Sequence, residues 1–332
     1  MKILVTGGNG FLGKRIVRRL LALGHTADVF ARSVRADESV ENSRYIAGDL
    51  TDREQLLRAS EGCDAVFHVA AKAGIWGKRS AYFDTNLRGT QNVLACCAVH
   101  GIPRLIYTST PSVVFGAAPL EGVNEDTPYA ARFLTHYAES KCMAEREVLA
   151  ANGLGSLRTV ALRPHLIWGP GDPHLLPRVM ARARAGRLKR VGDGCNRVDI
   201  THVEDAADAH LLAFEKLTPE SAVAGNAYFI SSESVKLWDW INDLLARQNL
   251  PPISRSISRK TAYRVGALFE FIYSLLGLSV EPPMTRFVAE NLATSHWFDI
   301  SRARRDLGYQ PRHVGGPALD AYLQSEKSHA SH

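Results

Sequence analysis

The stretch VTGGNGFLG, residues 5–13, joins an apolar run, KILVT, to an amphipathic one, FLGKRIVRRLLALG. The first run is continuous in aliphatic residues, as expected of a central strand in a parallel sheet. The second places Ile16, Val17, Leu20, Leu21 and Leu23 on a helical period and stops at Gly24. Between them Gly7, Gly10 and Gly13 recur every third residue, and Gly8 completes a GxGxxG pattern. Glycines in that place allow a tight turn, close approach of a pyrophosphate and close packing of helix on sheet. The helix N-terminus adds N–H donors and a positive dipole end. The chain is therefore expected to open as a dinucleotide-binding α/β unit, with Phe11 and Leu12 beside the ligand.

The rhythm continues. Strands are expected at 26–31 (TADVFA), 43–48 (SRYIAG), 64–69 (DAVFHV), 104–109 (RLIYTS) and 158–163 (RTVALR), with helices between them, most clearly 79–100 and 134–151. This alternation predicts a doubly wound parallel sheet of the Rossmann type. After Arg163 the pattern breaks, and Pro164, Pro170, Pro173 and Pro177 crowd together. We read 1–163 as the cofactor domain and 164–332 mainly as a smaller substrate lobe, with a strand and helix in 196–217 returning to the first domain.

The end of the second strand selects the cofactor. NAD enzymes usually carry an acid there for the ribose 2′-hydroxyl. Here Ala31 holds that place and Arg32 follows, with Arg35 nearby. A cation beside the adenosine suits a 2′-phosphate through charge-assisted hydrogen bonds, so NADP (NADPH) is expected. GDL (48–50) and HVAAKAG (68–74) follow the third and fourth strands. Asp49 and Leu50 would flank adenine, Ala70 and Ala71 admit the cofactor's approach, and Lys72 lies beside them. His68 reads as strand packing.

Bulk properties exclude several classes. With 45% hydrophobic and 22% charged residues, the chain resembles an ordinary globular protein. Five cysteines show neither CxxC nor metal-ligand spacing, and no signal peptide is visible, which reads as a reduced, cytoplasmic, metal-free protein. The net charge of +6 is concentrated in RVMARARAGRLKR, without any nucleic-acid recognition motif. The apolar run VGALFEFIYSLLGLS, 265–279, is too short to span a bilayer. It could be a core helix, a lid over a greasy substrate or an interfacial segment docking on a partner enzyme or membrane.

HYAESK, 136–141, sets Tyr137 and Lys141 one helical turn apart, downstream of the hydroxyl cluster YTSTPS. Strand, hydroxyl cluster, loop and Tyr-x-x-x-Lys helix occur in the order found in the extended short-chain dehydrogenases/reductases. TGGNGFLG, GDL, HVAAKAG, TNLRGTQNVL, YTST, YAESK and LRPHLIWGPGD carry that resemblance along most of the chain. AAKAGIWG, EPPMTRF and HWFDISRARRDLGYQPR narrow it to the 3β-hydroxysteroid dehydrogenase-like branch, nearest the bacterial reductases of olefinic hydrocarbon biosynthesis. The resemblance implies NADPH-dependent reduction of a 2-alkyl-3-oxoalkanoic acid with long apolar chains, possible assembly with other enzymes of that pathway, and homodimers paired through helices 79–100 and 134–151.

It also implies roles. Tyr137 would be the acid in reduction. Lys141 would lower its pKa and hold the nicotinamide ribose. Thr110 would polarise the carbonyl, with Ser109 and Ser112 as competitors. Asn86 would tie helix to strand. Pro164 to Ile167 would bring backbone to the carboxamide. Trp76 and Trp168 would line an acyl tunnel. Three other readings stay open: a sterol or steroid 3β-hydroxy dehydrogenase, a nucleotide-sugar epimerase or dehydratase, and a cofactor-sensing protein without catalysis. The greasy lid region disfavours the second, and the intact Tyr137/Lys141 pair disfavours the third.

Overall fold

The computed structural model describes residues 1–33, 40–173 and 175–330, with side chains through residue 326. Among these residues a seven-stranded sheet dominates. Its strands are β1 (Lys2–Thr6), β2 (Thr26–Ala31), β3 (Arg44–Ala47), β4 (Ala65–His68), β5 (Arg104–Thr108), β7 (Arg158–Pro164) and β11 (Asn226–Ile230), in the order β11-β7-β5-β4-β1-β2-β3. All six pairings are parallel, with Val5 opposite both Val29 and Phe67. The order reverses beside β1, which places a ligand crevice at the carboxyl ends of β1 and β4.

Each face of this sheet carries its own core. Ile16, Val17 and Leu20 of α1 (Phe11–Ala22) are fully buried with Ile3 and Val5 against α7 (Val203–Lys216). Side chains of that kind contribute about 1.5–3 kcal/mol each when buried. On the other face Leu56 of α2 (Arg53–Ser60), Val93 of α4 (Gly89–His100) and Val148 of α5 (His136–Ala150) cover Leu4, Val66 and Leu105. The expected helix 79–100 is continuous, with α3 (Arg79–Tyr82) leading into a π-helical segment, Phe83–Arg88, before α4. Gly89 is needed there, since a Cβ would lie 2.9 Å from that of Leu50.

A second sheet has the order β12 (Glu233–Lys236), β10 (Arg197–His202), β14 (His296–Phe298) and β6 (Leu120–Val123), with β8 (Ile167–Trp168) also paired to β10. This corrects the reading of 196–217. Its helix, α7, packs on α1, but its strand, β10, does not join the large sheet. β11 takes the position beside β7, while β10 runs antiparallel to β12 through a register from Arg197–Lys236 to Ile200–Glu233. Around β10 a third core gathers Leu176 and Met180 of α6 (Leu175–Arg184) with Trp238, Ile241 and Leu244 of α8 (Leu237–Arg247). Beyond it come β9 (Arg190–Val191), β13 (Ser256–Ile257), α9 (Arg259–Leu275), α10 (Arg286–Ala293), α11 (Ser301–Leu307) and α12 (Gly315–Ala330).

Candidate active site

The turns leaving the carboxyl ends of the central strands meet in a cleft of about 700 Å³. The β1–α1 turn lines it with Gly7, Gly10, Phe11, Leu12 and Gly13. Arg32 follows β2, Asp49 and Leu50 follow β3, and Ala70 and Ala71 follow β4. Thr110 follows β5, Pro164 and Ile167 come from β7 and β8, and Tyr137 and Lys141 enter from α5.

The turn has the shape a dinucleotide needs. Gly7 has φ +68°, and a Cβ on it would lie 2.8 Å from the Ala70 Cα. At Gly13 a Cβ would lie 2.1 Å from the Gly7 carbonyl oxygen, so only glycine lets α1 approach β1 this closely. A Cβ at Gly10 would meet only the Gly7 oxygen, at 3.1 Å, among the described residues, and would otherwise fill the cleft. The buried Ser109 hydroxyl, also on the cleft wall, has no hydrogen-bond partner among the described residues. At the adenosine end, the Asp49 carboxyl is held below its usual range, first by the Thr51 backbone N–H and also by the charge of Arg32. Arg35 lies outside the described residues.

Lys72 corrects one expectation, because it does not line the cleft. Its backbone N–H donates to the Asn86 Oδ1 at 2.7 Å, and its ammonium sits 5.3 Å from the centroid of the Tyr82 ring. Asn86 in turn donates to the Lys72 carbonyl at 3.1 Å and to the Ser140 hydroxyl at 3.0 Å. The π-helical turn thus ties the loop after β4 to α5.

Thr135 caps α5, its hydroxyl accepting from the Ala138 N–H at 3.2 Å. Tyr137, Lys141 and Glu145 then share one helical face. Lys141 is 2% exposed. Its ammonium donates to the Thr108 carbonyl at 2.6 Å and lies 4.0 Å from the Tyr107 ring centroid. Burial pushes its pKa down to about 7, against the opposing charge of Glu145. Glu145 is fully buried and is itself held by Arg163, whose Nε reaches both carboxylate oxygens at 3.2 and 3.0 Å, and by the Tyr129 hydroxyl at 2.8 Å.

Burial raises the Tyr137 phenol, and a hydrogen bond with the Thr110 hydroxyl opposes it. This corrects the expectation that the ammonium draws the phenol down. Both groups lie in a low-dielectric site, so each is driven toward its neutral form, and the ammonium is directed at Thr108 and Tyr107. Of the three candidate hydroxyls, Thr110 is the one that meets Tyr137. Pro111 begins a short 3₁₀ turn, and the Thr110 Oγ1 accepts the Ser112 N–H at 3.2 Å.

The aromatic pair separates. Trp168 is fully buried, with its ring against His202, Trp240 and Tyr322, and lines no part of the cleft. It packs the third core because it sits on β8, beneath α8 and α12. Trp76 is half-buried and donates from Nε1 to the Leu278 carbonyl at 2.9 Å. It walls a second cavity of about 480 Å³ with Tyr273 and Leu278, and Ile75 lines both this cavity and the cleft.

One part of the wall was not read from the sequence. His165 lines the cleft, and its Nε2 lies 2.6 Å from Nδ1 of the buried His296, whose Nε2 lies 2.8 Å from the Asn291 carbonyl. A carbonyl only accepts, so the His296 Nε2 carries a proton and its Nδ1 accepts from the His165 Nε2–H. His165 is left with an unprotonated Nδ1. No spacing rule links histidines 131 positions apart.

Comparison with known proteins agrees with this geometry. The match to the 3-beta hydroxysteroid dehydrogenase/isomerase family spans residues 4–255. The 2-alkyl-3-oxoalkanoate reductase of Stenotrophomonas maltophilia is 52% identical over 94% of this chain and 95% of its own. That of Shewanella oneidensis is 49% identical over 92% and 81%. Among solved structures, the dTDP-glucose 4,6-dehydratase DesIV of Streptomyces venezuelae, determined with NAD bound, superposes with a TM-score of 0.78 at 22% identity, covering 100% of this chain and 98% of its own. With the glycine turn, the cleft and a family match over most of its length, the chain belongs to the 3-beta hydroxysteroid dehydrogenase/isomerase family of NAD(P)-dependent oxidoreductases.

Proposed function

We propose that the protein reduces a long-chain 2-alkyl-3-oxoalkanoic acid to the 3-hydroxy acid, using NADPH. The observation that carries this reading is Tyr137 in hydrogen-bond contact with Thr110, on the same helix as buried Lys141, at the inner end of a dinucleotide cleft. Bound NADPH supplies hydride to the ketone carbon. As charge develops on the ketone oxygen, Thr110 donates a hydrogen bond to it and Tyr137 delivers the proton that completes the alcohol. Burial, which raises the phenol, keeps that proton on Tyr137 until charge develops on the ketone oxygen. Lys141, fixed by the Thr108 carbonyl, presents its ammonium to the ribose hydroxyls and to the phenolate left behind.

Arg32 at the adenosine end, with Ala31 where an acid would accept the 2′-hydroxyl, supports NADPH over NADH. Ile75, Leu166, Leu175 and Phe287 give the substrate side of the cleft an apolar wall, which suits alkyl chains. The names of the two bacterial relatives support the same substrate. The family's description supports a second reading, a steroid or sterol 3β-hydroxy dehydrogenase. Turnover with NADPH and NADH on 2-alkyl-3-oxo acids of graded length, steroids and nucleotide sugars distinguishes them. Preference for a steroid, or for NADH, would overturn the corresponding half of the proposal.

A further inference from the structure

The long helix α9 carries an exposed stripe that the fold leaves uncovered. Its packed face is narrow. Ala262 and Gly266 are buried, and a Cβ at Gly266 would lie 2.5 Å from the Thr285 carbonyl carbon. The outer face begins with Lys260 and Arg264, both exposed, and continues at helical spacing through Leu268, Phe271, Ile272 and Leu275. Leu268 is 58% exposed, Phe271 65% and Leu275 73%, and the loop that follows adds Leu276 at 63% and Val280 at 71%. A core helix would hide such residues, so the core reading of 265–279 fails. From Lys260 to Leu275 the stripe is about 22 Å long, a basic shank ending in an apolar tip.

The charges along the shank are one-sided. Residues 244–269 contain five Arg or Lys and no Asp or Glu; Arg247 pairs with Asp243 and Asp320 and Arg259 with Glu290, so the excess rests on Arg255, Lys260 and Arg264. The acids near the tip are paired, and Glu139, which shares the cavity wall with Tyr273 and Leu278, receives Arg79 at 3.1 Å. Glu270 receives Arg286 from the side chain at 2.6 Å and from its backbone N–H at 2.7 Å. Glu281 receives Arg178 at 2.8 Å. No helix among the described residues is long and apolar enough to cross a membrane.

We infer that α9 docks the enzyme on the surface of an anionic lipid bilayer, with the tip in the acyl boundary and Lys260 and Arg264 at the headgroups. The position of the second cavity gives the contact a use. Tyr273, Ser274 and Leu278 line it at the tip, Lys78, Glu139 and Arg286 give it a polar wall, and Ile75 stands between it and the cleft, lining both. A substrate dissolved in lipid would thus be met on the side of the enzyme where this cavity adjoins the cleft. This use rests on the proposed substrate, whereas the docking itself does not.

Vesicle flotation with the full chain tests docking apart from chemistry. Phosphatidylcholine vesicles containing phosphatidylglycerol should carry the protein up, pure phosphatidylcholine should carry at least tenfold less, and raised salt should release it. Phe271→Glu with Leu275→Glu should lower flotation at least tenfold. Lys260→Glu with Arg264→Glu should abolish the preference for anionic vesicles. Both pairs should leave turnover of a short, soluble 3-oxo acid unchanged, because none of these side chains lines the cleft. If wild type fails to float, or if the Glu variants float equally well, the inference is wrong. It is equally wrong if wild type sediments as an oligomer that the apolar-tip variant breaks, since the tip would then be a protein contact.

Discussion

Lys141 gives the sharpest physical test, because its burial has a sign that can be measured without turnover. Its pKa falls from 10.5 to about 7, mainly through desolvation. At about 1.36 kcal/mol per unit, that shift corresponds to at most about 5 kcal/mol, and relaxation around the cleft lowers the expected effect to roughly 2–4 kcal/mol. Below pH 7 both the folded and unfolded states hold the proton, and the full cost of burying the ammonium is felt. Between pH 7 and 10.5 the folded state releases a proton that the unfolded state keeps. Stability contributed by this site therefore rises with pH across that window and levels off above it. Lys141→Met keeps most of the side-chain volume and removes the titration. Urea unfolding of both cofactor-free proteins at pH 6, 7, 8 and 9 supplies the comparison. The variant should be the more stable at pH 6, and wild type should gain on it by at least about 1 kcal/mol between pH 7 and 9. Parallel stability curves would show that the ammonium is well solvated, and the electrostatic account of the site would fail with it.

Other outcomes follow from the same geometry. Tyr137→Phe removes only the transferable proton, so kcat should drop by roughly 10²–10⁴ while titration calorimetry finds cofactor Kd within a few-fold. Near-normal turnover would remove Tyr137 from the mechanism. Arg32→Ala should weaken NADPH by roughly 10- to 150-fold and NADH little, as expected for loss of a charge-assisted hydrogen bond to phosphate; equal losses would assign Arg32 to adenine or ribose. Gly13→Ala would drive a methyl to 2.1 Å from the Gly7 oxygen. It should cost about 1–3 kcal/mol and weaken both cofactors, read by calorimetric unfolding and binding, and an unchanged Tm and Kd would contradict the packing argument.

How much of this was legible depended on the range of the interactions. The large sheet announces itself because each strand is a short apolar run followed at once by its helix, and the glycine turn lies wholly within nine residues. The second sheet is hidden for the opposite reason. β6 and β14 are short, and Leu120 pairs with His296 across most of the chain. Nothing local to VDITH says that its partner is the strand at Glu233–Lys236 rather than the edge of the large sheet. Trp168 shows the same limit, since an aromatic beside the cleft motif reads alike whether it faces ligand or core. On α5 the four-residue spacing sets Tyr137 and Lys141 on one helical face, but the direction of each pKa comes from burial, which no such interval encodes. That Thr110 is the hydroxyl in contact with Tyr137 emerged only with the turn at Pro111.

The histidine chain behind the cleft carries a further consequence. Its proton positions are set by one backbone carbonyl, and both rings are held neutral by burial. The polarity of the chain is therefore fixed: the Asn291 carbonyl orients His296, His296 orients His165, and the nitrogen left with a lone pair is the His165 Nδ1. A group that reaches this nitrogen must donate to it: a hydroxyl or amide N–H suits it, and a ketone or carboxylate oxygen does not. The ¹⁵N shifts of the His165 ring report this arrangement directly, and a protonated Nδ1 at neutral pH would show the polarity to be reversed.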